Sequence, residues 1–74
     1  MEYKERVVTD RKIMLDKPVI KGTRITGELI LRKLSEGIII EDLLKAYPHL
    51  KREDILAALS YSADVISHEE LIAT

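Results

Sequence analysis

The stretch Lys17–Ile25, KPVIKGTRI, restricts what this chain can fold into more than any other. Pro18, Val19 and Ile20 form a short apolar run that reads as a strand. Gly22 reaches positive φ at no steric cost, and Thr23 supplies a hydroxyl that can cap neighbouring backbone groups, so Gly22-Thr23 is a turn. Beyond it the apolar period changes from two to three or four, the mark of helices. The chain therefore reverses here, with extended structure upstream and helices downstream.

Ile25, Leu29, Leu34 and Ile38, flanked by Ile30 or Leu31, mark the buried stripe of a first helix running to Ser35 or Glu36. Thr26 is its N-cap, Glu28 puts negative charge in the first turn, and Gly37 is a left-handed stop. Glu41-Asp42 open a second helix whose inward residues are Leu43, Leu44 and Tyr47. Pro48 pushes Tyr47 out of the α region, so this helix ends within about two turns. His49-Leu50 complete a tight connection, and a third helix starts near Lys51 with Ile55, Leu56, Leu59, Ala63 and Ile66 on one face. Two helices joined by a turn of about three residues have the dimensions of a helix-turn-helix. Ser67-His68-Glu69-Glu70 then spells a capping box, which predicts a small break and a fresh helical turn. The Leu71 and Ile72 that follow either fold back on the core or serve as a hook for another protein.

Upstream, residues 2–8 alternate loosely and end in Val7-Val8, as an arm or edge strand does. Such a strand pairs with the one at 18–21, or with the same segment of a second chain to close a two-fold dimer. Residues 9–16 read as a turn that tucks Ile13, Met14 and Leu15 inward. The expectation is a single domain, mainly α with a small N-terminal β element. Residues 1–25 form the arm and short β element, 26–66 a three-helix core, and 67–74 a tail with a short helix.

A domain of 74 residues buries only about 60% of the surface of its unfolded chain, so its stability margin is thin. Cysteine is absent and two histidines are too few for a structural zinc site, which leaves self-association as the expected staple. Ten isoleucines and ten leucines describe a dense aliphatic core and argue against disorder. Charged residues follow Met1 and no stretch approaches the roughly 20 apolar residues of a membrane span, so a cytoplasmic protein without membrane contact is expected. Net charge of −1 hides a polarity: residues 1–35 carry nine Lys/Arg against five acids, and residues 36–74 three against eight. A half at +4 suits an anionic partner such as nucleic acid and a half at −5 suits a basic protein, or both are simply solvated faces.

Catalysis finds little support, and no enzyme, cofactor or metal is expected. Ser67 and His68 are adjacent and point apart, and Ser60 and Ser62 have no histidine at a helical spacing. The pairs Glu41-Asp42, Glu53-Asp54 and Glu69-Glu70 each fall at a helix start, where the dipole accounts for them. Tyr47 reads as core with its hydroxyl outward, and Tyr61 as a half-buried tyrosine or one facing a dimer mate or ligand. For DNA, the first residues of a second helix-turn-helix helix approach base edges, and here these are Lys51 and Arg52, with Glu53 and Asp54 opposing phosphate at once. The expected phosphate contacts therefore also include Lys21, Arg24 and the arm residues Lys4, Arg6, Arg11 and Lys12.

KPVIKGTRI, then a helix closing in EG, then EDLLKAYPHLKREDILAALSYSADV, resembles the small prokaryotic family called domain of unknown function 433, over roughly residues 8–66. The resemblance implies a three-helix, homeodomain-like helix-turn-helix with an N-terminal β element, commonly dimeric. It also implies a likeness to VapB-type antitoxins, which pair with PIN-domain ribonucleases and repress their own operons. Three positions depart from the family pattern: Leu15-Asp16 replace glycines, Thr26 replaces a proline, and Lys51 replaces a capping threonine. The first two point to a rebuilt turn and a different helix start. The third weakens the third helix by about 1 kcal/mol or adds a DNA-facing charge. The expected function is a small DNA-binding or antitoxin-like module, a homodimer that neutralises a PIN-domain toxin; the alternative is a protein-interaction module without nucleic-acid binding. Lys21, Arg24, Lys51 and Arg52 are the candidate DNA contacts, and Leu71 and Ile72 the candidate partner contacts.

Overall fold

The computed structural model describes residues 3–9 and 17–73, with side chains described as far as His68. The fold is mainly α: strands β1 (Val7–Val8) and β2 (Val19–Ile20) precede helices α1 (Gly27–Ser35), α2 (Ile40–Ala46) and α3 (Arg52–Ala73). The expected turn at 9–16 and the inward Ile13, Met14 and Leu15 lie outside the described residues, apart from Thr9.

β2 is the centre of the small β layer. On one side it pairs antiparallel with β1, Val7 opposite Ile20 and Val8 opposite Val19, so the arm finds its partner within its own chain. On the other side Ile20 N–H donates to the Ile25 carbonyl and Gly27 N–H to that of Pro18, both at 2.9 Å, with a bridge between Val19 and Thr26. The connecting turn closes with Thr23 N–H donating to the Ile20 carbonyl at 3.0 Å. Gly22 sits in it at φ +80°, a conformation that strains any residue with a β-carbon.

Both ends of α1 follow from local chemistry. Thr26 is extended and its Oγ1 accepts from Leu29 N–H at 3.0 Å, so the residue that departs from the family proline is the cap of the helix. Gly37, at φ +93°, ends it, its N–H donating to the Leu34 carbonyl at 3.0 Å. The fully buried residue of α1 is Ile30, while Leu29 and Leu34 are half-buried; the stripe is centred one residue from where the apolar spacing put it.

α2 stops at Ala46 because Pro48 holds Tyr47 at φ −126°, ψ 84°, outside the helical region. The corner from Tyr47 to Lys51 takes five residues, two more than expected, since Tyr47 and Lys51 each spend themselves as half-helical end positions. Residues 41–66 are thus two helices and not one rod.

α3 corrects two expectations. The break at Ser67 is absent: with no Gly or Pro after Pro48, the helix runs unbroken to Ala73, and the S-x-x-E signal is overruled by continuous backbone hydrogen bonding. Its buried face is also different. Ile55, Ala57 and Ala58 are within 1% of full burial, whereas Leu56, Leu59 and Ile66 are exposed. The small alanines let β1 and α1 close directly on the helix, so the core takes the side of α3 with the least apolar bulk. Val7, Ile20, Ile30, Leu43 and Leu50 complete that core. Among the described residues no helix is long and apolar enough to cross a membrane.

Candidate nucleic-acid interface

The turn 21–24 carries two of the cations that the sequence singled out. Thr23 braces it from inside: its hydroxyl donates to the Ile20 carbonyl at 2.8 Å and accepts from Ile25 N–H at 3.0 Å. With Thr23 turned in and Gly22 bare, Lys21 and Arg24 project to solvent from a backbone held at both ends. Neither has an ion-pair partner among the described residues.

Across from this turn lies the corner between α2 and α3. Leu50 N–H donates to the Tyr47 carbonyl at 2.9 Å, which folds the corner tightly and leaves His49 exposed. A cleft of about 450 Å³ is lined by Lys21, Gly22, Thr23, Arg24, Ile25 and His49, so two segments far apart in sequence share one polar concavity. Sequence reading gave His49 no role. Its position after Pro48 and just before Lys51-Arg52 was the available signal, since a proline corner turns the next side chain outward.

Lys51 and Arg52 follow at the start of α3. Lys51 is exposed, and its N–H donates to Asp54 Oδ2 at 2.9 Å, the return half of a capping box. Arg52 lies 3.6 Å from Glu41 on α2, a pair so exposed that it contributes little and exchanges readily. The four candidate DNA residues therefore do not form one contact set. Lys21 and Arg24 share the cleft with His49, Lys51 comes two residues after His49, and Arg52 leans back on α2.

Arg6, expected among the arm's phosphate contacts, is engaged within the fold. Its Nη1 donates to Asp54 Oδ1 at 3.0 Å, and Asp54 is 7% exposed. The same carboxylate thus ties the arm to the first turn of α3 and receives the Lys51 N–H, so Asp54 is a structural pin rather than an acid placed only for the helix dipole. Lys4 is exposed in the turn before β1, and Arg11 and Lys12 lie outside the described residues.

A second cleft, about 330 Å³ and mostly apolar, lies between α1 and α3, lined by Pro18, Gly27, Glu28, Leu31, Arg32, Tyr61 and Ser62. Tyr61 is half-buried there and meets Tyr3 edge to face, ring centres 5.4 Å apart at 89°. On the rim, Glu28 accepts from Lys17 Nζ and Arg32 Nε, each at 3.2 Å. The Lys17 ammonium first and the Arg32 guanidinium second hold the Glu28 carboxyl below the usual glutamate range. Leu71 and Ile72 belong by backbone to the last turn of α3, and their side chains lie outside the described residues.

Nothing among curated proteins and nothing among solved structures matches the chain. One family model does, over residues 7–62, which takes in β1 through the first half of α3 and leaves out its second half. The chain belongs to the family described as "Protein of unknown function (DUF433)".

Proposed function

We propose that this protein is a small, non-enzymatic, antitoxin-like module that dimerises, binds DNA through its basic cleft, and neutralises a PIN-domain ribonuclease while repressing its own operon. The observation that carries the DNA part is the single concavity formed by Lys21, Arg24 and His49, with Lys51 following at the head of α3. Such a site suits the phosphate backbone, whose oxygens accept from lysine, arginine, histidine and exposed backbone N–H groups. α2, the Tyr47–Lys51 corner and α3 have the order of a helix-turn-helix. After Arg52, however, the exposed side of α3 carries Glu53, Leu56 and Leu59, none of which donates to a base edge or a phosphate. Binding is therefore dominated by phosphate contacts and is weakly sequence-selective for one copy.

A gel-shift series with the protein's own upstream DNA tests this. Six to ten phosphate contacts across a dimer predict a loss of about 10³–10⁵ in affinity between 50 and 200 mM salt. Lys21→Ala and Arg24→Ala weaken binding to all sequences alike and flatten that slope. No retardation at low ionic strength refutes the DNA-binding role.

The protein partner is assigned to the other end of α3, which runs on beyond the matched family region and whose sequence there has Asp64, Glu69 and Glu70 and no Lys or Arg. The exposed apolar side of α3 also favours the second reading, a protein-interaction module with no DNA role. Deleting residues 67–74 abolishes capture of a PIN-domain ribonuclease encoded beside this protein if the tail with Leu71 and Ile72 makes the contact. Unchanged affinity takes the tail out of the interface.

A further inference from the structure

Leu56, Leu59, Ala63 and Ile66 fall on one seam of α3, spaced by three, four and three residues, the rhythm along which two helices interlock. All four are exposed, Leu56 at 39%, Leu59 at 38% and Ile66 at 55%. The core cannot cover them, because it already holds Ile55, Ala57 and Ala58. Ser60, Ser62 and Ser67 flank the seam with small, uncharged side chains, and Ser62 spends its hydroxyl on the Ala58 carbonyl of its own helix at 2.8 Å. Between residues 56 and 67 neither flank of the seam carries a charged side chain.

We infer that this seam is the contact between two copies of the chain and that their α3 helices pair antiparallel, Leu56 against Ile66 and Leu59 against Ala63 of the other copy. The dimer itself belongs to the function proposed above, and the inference rests on that reading for its expectation of two copies. Charge decides the direction. One step before Leu56 in the same register stands Arg52, and one step after Ile66 the register falls on Glu70. Parallel helices would stack Arg52 on Arg52 and bring the two basic N-terminal halves together. Antiparallel helices separate the two Arg52 positions and bring the basic half of one copy towards the later half of the other's α3, whose sequence past Arg52 has no further Lys or Arg. They also oppose their dipoles favourably. The pairing sets residue 52 of the two copies about 27 Å apart along the helix axis, at 1.5 Å per residue, so the two basic clefts lie at opposite ends of the dimer.

Sedimentation of the full chain without DNA gives twice 8.5 kDa for the wild type and 8.5 kDa for Leu59→Lys and for Ile66→Lys. Helical circular dichroism stays at the wild-type level in both variants, because these side chains face solvent in the single chain. A wild type that sediments as a monomer at 100 μM, or a dimer that survives both substitutions, overturns the seam. Direction is read by cross-linking, since the chain has no cysteine of its own. Under oxidation Leu56→Cys stays uncross-linked and the double variant Leu56→Cys, Ile66→Cys becomes a covalent dimer. Cross-linking of Leu56→Cys alone overturns the antiparallel arrangement. None of these readouts involves DNA, so failure of the gel-shift leaves them intact and their failure leaves the cleft standing.

Discussion

α1 and α3 solve the burial problem in opposite ways. α1 commits one narrow line to the core, with Ile30 fully buried, and dresses the rest with Glu28–Arg32 and Lys33–Glu36 pairs that belong in water. α3 is apolar on two sides: Ile55, Ala57 and Ala58 face the core, while Leu56, Leu59, Val65 and Ile66 face outward. The first helix is finished by its own fold, and the second keeps one of its two apolar sides exposed. A folded monomer normally exposes isolated apolar residues without consequence, but a regular line of them on one helix marks an interaction surface.

The sharpest way to break this contrast is to truncate one residue on each helix. Ile30→Ala leaves a cavity at the centre of the core and lowers stability by about 3 kcal/mol, most of the margin of a domain this small. Leu59→Ala, measured by urea unfolding at a concentration where the chain is monomeric, changes stability by less than about 0.5 kcal/mol. Equal losses for the two substitutions would mean that Leu59 is core and that α3 has one apolar face, as its spacing alone suggested.

Asp54 sharpens the comparison from the other side, because it anchors the buried face of α3. Asp54→Ala removes the acceptor for Arg6 and for the Lys51 N–H at once and is expected to lose about 2 kcal/mol, near the low end for charged hydrogen bonds since Arg6 is partly exposed. Arg6→Ala loses less, and the double variant loses less than the sum of the two. Additive losses would separate the arm from the helix start. The cap of α1 ranks next: Thr26→Ala costs about 1 kcal/mol and Thr26→Ser little, by the same unfolding measurement.

What was legible in the sequence was whatever is decided within a few residues. Gly22, Thr23, Thr26, Gly37 and the Tyr47-Pro48 corner each act on their own backbone, and each stands where its chemistry puts it. What depends on distant partners was not. Asp54 reads locally as a helix-start acid, yet its partner Arg6 lies 48 positions earlier. The inward side of α3 was misjudged because leucines outweigh alanines in any apolar pattern, whereas the core selects the side on which α1 and β1 can approach closest. His49 carries only the weak local signal of a proline corner, since its cleft is completed by a turn near residue 22. The capping box at Ser67 failed for a related reason, as a start signal cannot stop a helix already under way.

The smallest effect concerns the polar side of α1, at Glu28. Lys17 and Arg32 stabilise its ionised form, so its carboxyl titrates below the usual glutamate range. A depressed folded pKa means that the unfolded chain binds this proton more readily, so the group's contribution is present above the unfolded value and is lost as pH falls through the folded one. The Glu28 side chain is exposed at the surface, and screening leaves that contribution too small to read from unfolding curves. A carbon-detected NMR titration resolves it instead: the Glu28 midpoint lies below that of unpaired glutamates and rises more in Lys17→Ala than in Arg32→Ala. Raising the salt concentration moves the wild-type midpoint the same way. A midpoint indifferent to both substitutions and to salt would show that the charged side of α1 is only solvated, and the contrast with α3 would then rest on burial alone.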